Sequence, residues 1–230
     1  MQVSKITEDV FQVTLPIVNV FLVDLPAGLL LIDTGPKNSE DEIFAAIEQI
    51  GKRPTDLRYI IITHAHHDHS GSLAAILKAV NVQVFASPLC AEMLKRGVAF
   101  EPESKLFSFL LKLITVFGLI RLQFIYINPV NFPIKIVLEG DVIPDTNGLQ
   151  VINAPGHTLE QIALFYPIKE ALLFAADAAE NLKSLKPAFA YQSAKINQQT
   201  LKKLTTYDFK YAVFGHGSAL IKENFIEILA

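Results

Sequence analysis

The chain has 230 residues, 51% of them hydrophobic, a formal net charge of −3 and one cysteine, Cys90. That size and apolar content suit one single-core domain over residues 1–230, and a small negative charge without runs of either sign leaves no electrostatic footprint for DNA or RNA. One cysteine excludes an internal disulfide, and a start that enters strand-like alternation without a secretory apolar segment makes the cytoplasm the expected location.

The first elements expected are strands. Val10 to Leu15 and Val18 to Asp24 are β-branched and aromatic, and Pro26-Ala-Gly28 turns into a third run, Leu29 to Asp33, which Thr34-Gly35-Pro36 ends. Ser39 is placed to cap a helix whose apolar positions Ile43, Phe44, Ile47 and Ile50 recur at helical spacing up to Gly51. An apolar strand from Arg58 to Thr63 delivers a histidine cluster; a second helix, Ser70 to Val80, and a short strand, Gln83 to Ala86, follow it. Cys90 reads as a small buried residue on a helix. Residues 104–127 lie in an insertion at about 95–133 and are dense in apolar groups; polar positions 104, 108, 112 and 115 form the narrow stripe of a helix reaching Phe117. Strands return at Ile134 to Leu138 and Gly148 to Asn153, then as a hairpin of Ile162 to Tyr166 and Ala171 to Ala175. A helix near 195–206, a strand from Lys210 to Phe214 and a short helix after Ser218 complete the chain. Strands, helices and strands again imply an α/β protein with mixed sheets.

Thr63-His64-Ala-His66-His-Asp68-His69-Ser-Gly71 sets four imidazoles and a carboxylate beside an apolar strand. Such a cluster is costly near a core unless a cation compensates it, and zinc prefers imidazole nitrogen and carboxylate oxygen. His64 and His66, two apart in an extended loop, can face one ion, whereas Asp68 and His69 begin the next helix and turn toward another. The two remaining histidines and one further aspartate also stand at strand ends. His157 follows Pro155-Gly156, His216 lies between Gly215 and Gly217, and Asp177 follows Leu172 to Ala176. Glycines at such places let the backbone pass close to a bound ion.

Together with Leu31-Ile-Asp33-Thr34-Gly35, these motifs resemble, in kind and in order, those of the metallo-β-lactamase superfamily, over nearly the whole chain except about 95–133. The resemblance implies an αββα four-layer sandwich of two mixed β-sheets with the metals at one edge. It assigns His64, His66 and His157 to one metal and Asp68, His69 and His216 to a second, with Asp177 bridging the two. Zinc is the first choice of metal, with iron and manganese as alternatives. The nucleophile it implies is a hydroxide between the two ions, with Asp68 orienting it or taking the proton of the water that forms it. Asp33 is expected to hydrogen-bond a ligand imidazole and fix its tautomer. His67, at a variable position of the motif, is expected to face solvent or the substrate.

An aspartate at 177 together with His69 points to the thioesterase-like and lactonase-like branches. The reaction expected is therefore hydrolysis of an ester, thioester, lactone or amide of a small molecule, and of a hydrophobic one if residues 104–127 form a lid. Acyl-homoserine lactonases carry a tyrosine three residues after the bridging aspartate; this chain has Glu180 there, with Tyr191 further along the same loop. The C-terminal helical region of glyoxalase II is not expected, since only a short tail follows His216. An iron-dependent oxidoreductase resembling the persulfide dioxygenases is the alternative reading. Residues 104–127 approach the length of a bilayer span, but Lys112 and Arg121 interrupt them, and one crossing would part His64 from His157. A lid over an apolar pocket, a homodimer contact and a membrane-surface foot are the roles that fit this segment.

Overall fold

The computed structural model describes residues 1–100, 125–168, 170–188 and 191–227. Seven strands, β1 (Gln2–Lys5), β2 (Val10–Thr14), β3 (Asn19–Leu25), β4 (Gly28–Ile32), β5 (Leu57–Ile61), β6 (Gln83–Ala86) and β7 (Ile134–Ile136), form one sheet in chain order. The first four pair antiparallel; β4 through β7 pair parallel. Parallel pairing needs crossovers, and these supply helices α1 (Glu40–Gln49), α2 (His67–Ser70), α3 (Leu73–Ala79) and α4 (Pro88–Arg96).

The second sheet contains β8 (Gln150–Asn153), β9 (Ile162–Tyr166), β10 (Leu172–Phe174), β13 (Tyr211–Val213) and β14 (Leu220–Ile221), in the order β14-β13-β10-β9-β8. Only β10 and β13 are parallel, and the connection between them carries a ribbon of β11 (Ala179–Asn181) and β12 (Leu185–Pro187), then helix α5 (Ala194–Leu204). Helix α6 (Lys222–Ile226) follows β14.

Period-two alternation makes both faces of the inner strands apolar. Val20, Leu22, Leu29 and Leu31 pack beneath Ile43, Leu73, Ile76 and Leu94 of the helices on one face. Their neighbours Phe21, Val23, Leu30 and Ile32 face the second sheet and meet Val151, Leu164, Phe174 and Val213. Phe21 and Phe174 touch edge to face at 5.4 Å between ring centroids. The far face of the second sheet, with Ile152, Ala163, Leu173 and Ala212, closes on Leu201, Leu204 and Phe225 of α5 and α6. Three apolar interfaces between four layers make the αββα sandwich.

The expected helix over Ser70 to Val80 is split into α2 and α3. At the break, a Cβ on Gly71 would stand 2.3 Å from the His67 carbonyl oxygen and 2.5 Å from Lys37 N, so only glycine lets this turn pack on the loop before α1. Ser39 precedes α1 but makes no side-chain cap; its N–H donates to Ser72 Oγ at 2.8 Å and ties the two helix starts together. Cys90 is fully buried on α4. The lid, dimer and membrane-foot readings rest on 104–127, of which all but the last three residues lie outside the described residues. No described helix is long and apolar enough to cross a membrane.

Candidate metal centre

Each of the seven residues singled out as a ligand stands beyond the end of a strand. β5 leads into the loop bearing His64 and His66, and α2 adds Asp68 and His69. β8, β10 and β13 run in one direction, so the segments after them, with His157, Asp177 and His216, meet at a single edge. Backbone bonds join the two sheets there: Ile162 N–H donates to the Thr63 oxygen at 2.9 Å, and Asn19 N–H to the Gly215 oxygen at 2.7 Å.

The side chains converge into three overlapping groups, each with donor atoms within 4.8 Å of one another: His64, His66 and His157; His64, His69 and Asp177; Asp68, His69 and His216. His64 and His69 are each shared by two groups, and Asp177 reaches an imidazole of every group. Its Oδ2 lies 3.2 Å from His216 Nε2, 3.4 Å from His69 Nε2 and 3.5 Å from His157 Nε2. Asp68 Oδ2 lies 3.5 Å from His216 Nε2 and 3.9 Å from His69 Nε2.

Several of these atoms have no protein partner. Among the described residues, His64 Nε2, His69 Nε2, His157 Nδ1 and Asp177 Oδ1 are buried without a hydrogen bond. His66 Nδ1 and His157 Nε2 face each other at 3.0 Å. Buried polar atoms left unpaired are costly, and a cation at the centre of the cluster would give the lone pairs of His64 Nε2 and His69 Nε2 a partner. Imidazole and carboxylate together fit zinc, iron or manganese.

A surrounding set of residues holds the cluster in shape. Asp33, at φ 60°, accepts from Thr63 N–H, from Thr63 Oγ1 and from His69 Nδ1, each at 2.8 Å. His69 therefore carries its proton on Nδ1 and turns Nε2 to the cluster. The Thr34 N–H and hydroxyl both donate to the His69 oxygen, at 2.6 and 3.0 Å. His216 Nδ1 donates to the Ile17 oxygen at 2.8 Å. Gln161 Oε1 accepts from Asp177 N–H at 3.2 Å, and Glu160 Oε1 from Ala65 N–H at 3.4 Å. A Cβ on Gly215 would stand 2.2 Å from Asp177 Oδ1 and 2.6 Å from His69 Cε1, so this position cannot carry a side chain while the cluster keeps its geometry.

The charges divide the cluster. Burial, with neighbouring imidazoles adding to it, holds His64 well below its ordinary range and His66 down to about 3, so both are neutral. Burial likewise lowers His157. Burial also pushes His69 down, but the carboxylates of Asp177, Asp33 and Asp68 outweigh it and hold His69 well above its usual value. His216 is raised against burial by its hydrogen bond to Asp177. Burial pushes both aspartates up, yet His69 and His216 keep Asp177 well below the carboxylate range, and His69 leads the groups that lower Asp68.

His67 stands half-buried at the rim, with Nδ1 3.5 Å from Asp68 Oδ1, and lines a cavity of about 450 Å³ with Ile17, Lys37 and Tyr126. His216 lines a second cavity, of about 510 Å³, with Ile17 and Leu182. Glu180 is buried and pairs with Lys186 at 2.9 Å, while Tyr191 is exposed. Sequence reasoning did not single out Glu160 or Gln161, which act on the site through backbone atoms and carry no motif of their own.

The sequence profile of the metallo-beta-lactamase superfamily matches residues 13–216. Ribonuclease J of Sinorhizobium meliloti (strain Sm2011 / Rm2011 / 2011) is 43% identical over 61 residues, 26% of this chain; the match spans only 11% of that enzyme's length. An N-acyl homoserine lactonase from Bacillus sp is 25% identical over 228 residues, 85% of this chain and 79% of the lactonase. A solved structure of a B3 metallo-beta-lactamase with an active-site glutamic acid superposes with a TM-score of 0.74 at 18% identity, covering 100% of this chain and 89% of that one, and shares the fold.

Proposed function

The chain belongs to the metallo-beta-lactamase superfamily, and from that premise we propose that it is a dinuclear metal-dependent hydrolase of small, hydrophobic esters, thioesters, lactones or amides. The observation that carries the dinuclear reading is the Asp177 carboxylate, whose Oδ2 stands 3.2 to 3.5 Å from imidazole nitrogens on both sides of the cluster. His64, His66 and His157 would hold one metal, Asp68, His69 and His216 the other, with Asp177 between them. Bound there, such metals polarise a substrate oxygen and make water a nucleophile near neutral pH. Asp68 is the one carboxylate of the cluster with an open side, at 15% side-chain exposure. It is lowered into its ionised form and placed to orient an attacking water and accept its proton.

Two observations support an apolar acyl substrate. Ile17, Leu182 and Tyr126 are exposed at 54%, 64% and 42% and line the cavities beside His216 and His67. The lactonase relative matches over most of both chains. Glu180, buried on Lys186, departs from the tyrosine expected of acyl-homoserine lactonases, so the proposal stays with acyl compounds as a class. The ribonuclease match is short, and a net charge of −3 gives no support to a polyanionic substrate.

Elemental analysis of the purified protein, followed by a screen of lactones, thioesters and phosphoesters, tests the proposal. Two zinc ions per chain with turnover of an acyl compound is the result expected. The donor set suits iron equally; one iron per chain with consumption of dioxygen would replace the hydrolase with the oxidoreductase. Protein that takes up no metal on titration would refute both.

A further inference from the structure

Asn19 opens β3 and is 3% exposed, and both of its amide hydrogens and its amide oxygen are engaged. Its Nδ2 donates to the Phe214 oxygen at 3.1 Å and to the Gly217 oxygen at 2.8 Å, and its backbone N–H donates to the Gly215 oxygen at 2.7 Å. Its Oδ1 accepts from Thr14 Oγ1 at 2.9 Å. Phe214, Gly215 and Gly217 flank His216 on both sides, and the same hairpin takes the His216 Nδ1 hydrogen on the Ile17 oxygen at 2.8 Å. The amide has one workable orientation, since turning it over would set Oδ1 against two carbonyl oxygens.

We propose that Asn19 is a positioning residue for His216 and thereby sets the affinity of the second metal position. The inference rests on the dinuclear reading. Two glycines around His216 leave its segment little intrinsic stiffness. Asn181 N–H holds one side of the segment, donating to the His216 oxygen at 2.9 Å, and the hairpin holds the other: three bonds from Asn19 place the backbone, and one bond to Ile17 aims the ring. Without the amide, two carbonyls lose their donor and His216 loses its fixed approach to Asp68 and Asp177. His64, His66 and His157 hang from other elements and keep their arrangement.

The test compares wild type, Asn19→Ala and Thr146→Val by zinc stoichiometry and competitive-chelator affinity, with the melting temperature of each metal-free form. Thr146 is buried and bonds the Ile143 oxygen at the opposite end of β8, so its loss destabilises without touching the site. The expected result is one tight zinc in Asn19→Ala and a second weakened by about tenfold or more, with both affinities unchanged in Thr146→Val. Should the alanine variant fail to fold, Asn19→Leu, of similar size, uncharged and lacking the donors, is expected to show the same split. Wild-type affinity at both positions in the Asn19 variant, or equal weakening of both, overturns the positioning role alone. Wild type that binds a single metal overturns the dinuclear reading and this inference with it.

Discussion

Asp177 sits where the two halves of the cluster meet, and replacing it with asparagine keeps its shape while removing the charge that His69 and His216 face. Asp177→Asn, like His66→Ala, is expected to abolish turnover while the circular dichroism spectrum of the protein stays that of the wild type; full activity in either purified variant would sink the site assignment. Asp33→Asn acts one step further out. It would turn an amide N–H toward His69 Nδ1 and drive the ring proton to Nε2, so metal affinity should fall by about 10- to 100-fold in a chelator titration. Glu160 gives a pH test. Burial raises its carboxyl above the ordinary value of 4.5, so the folded state holds that proton more tightly than the unfolded chain does. Stability should then fall as pH climbs from about 4.5 through the folded value. Glu160→Gln keeps an acceptor for Ala65 and removes this slope, which urea unfolding of the metal-free protein between about pH 5 and pH 8 would show as a flatter profile. The histidines and Asp177 were legible in the sequence because rare residue types recur beside glycine at strand ends. Asn19, Glu160 and Gln161 were not, because they are ordinary polar residues whose partners are backbone atoms and hydroxyls that only the fold brings near.

Among the elements, α5 does more for the site than its place on the outer layer suggests. Ser193 N–H, just before the helix, donates to the Gly156 oxygen at 3.0 Å, and Thr200 Oγ1 donates to the Pro155 oxygen at 2.6 Å, pinning the turn that carries His157. Asn197 Nδ2 donates to the Ala178 oxygen at 3.0 Å, next to Asp177. Gly156, at φ 142°, brings the turn so close that a Cβ would stand 2.4 Å from Asn197 Cα. Gly156→Ala should therefore push the helix away, with a loss of about 1–3 kcal/mol in urea unfolding and a weaker first metal. Most strands of both sheets were readable from apolar and β-branched runs, and α1 from helical spacing; β14 was not, because its two residues, Leu220 and Ile221, stand where a helix was expected from Ser218 on and pair with β13 only in the fold. The break between α2 and α3 was not, because it is set by the contact of Gly71 with Lys37, far away in sequence. The ribbon of β11 and β12 carries too little apolar pattern to read as strand, since Ala179-Glu180-Asn181 and Leu185-Lys186-Pro187 are three residues each, without a β-branched or aromatic side chain.

For the molecule as a whole, the centre lies where the two sheets meet, with His64, His66, Asp68 and His69 reached from one sheet and His157, Asp177 and His216 from the other. Metal removal should loosen that seam first. In the chelated protein, hydrogen exchange is expected to rise in the loops after β5, β8, β10 and β13 before the strands themselves open. Metal in thousandfold excess over its dissociation constant would stabilise the folded chain by about 4 kcal/mol, provided it binds the native state alone. That proviso fails here for a reason visible in the chain: His64, His66, Asp68 and His69 stand within six consecutive positions and need no fold to come together. The unfolded polypeptide keeps a chelating patch of its own. Metal therefore favours both states, its net effect on stability falls below what native affinity implies, and refolding in its presence starts from a chain that already carries an ion.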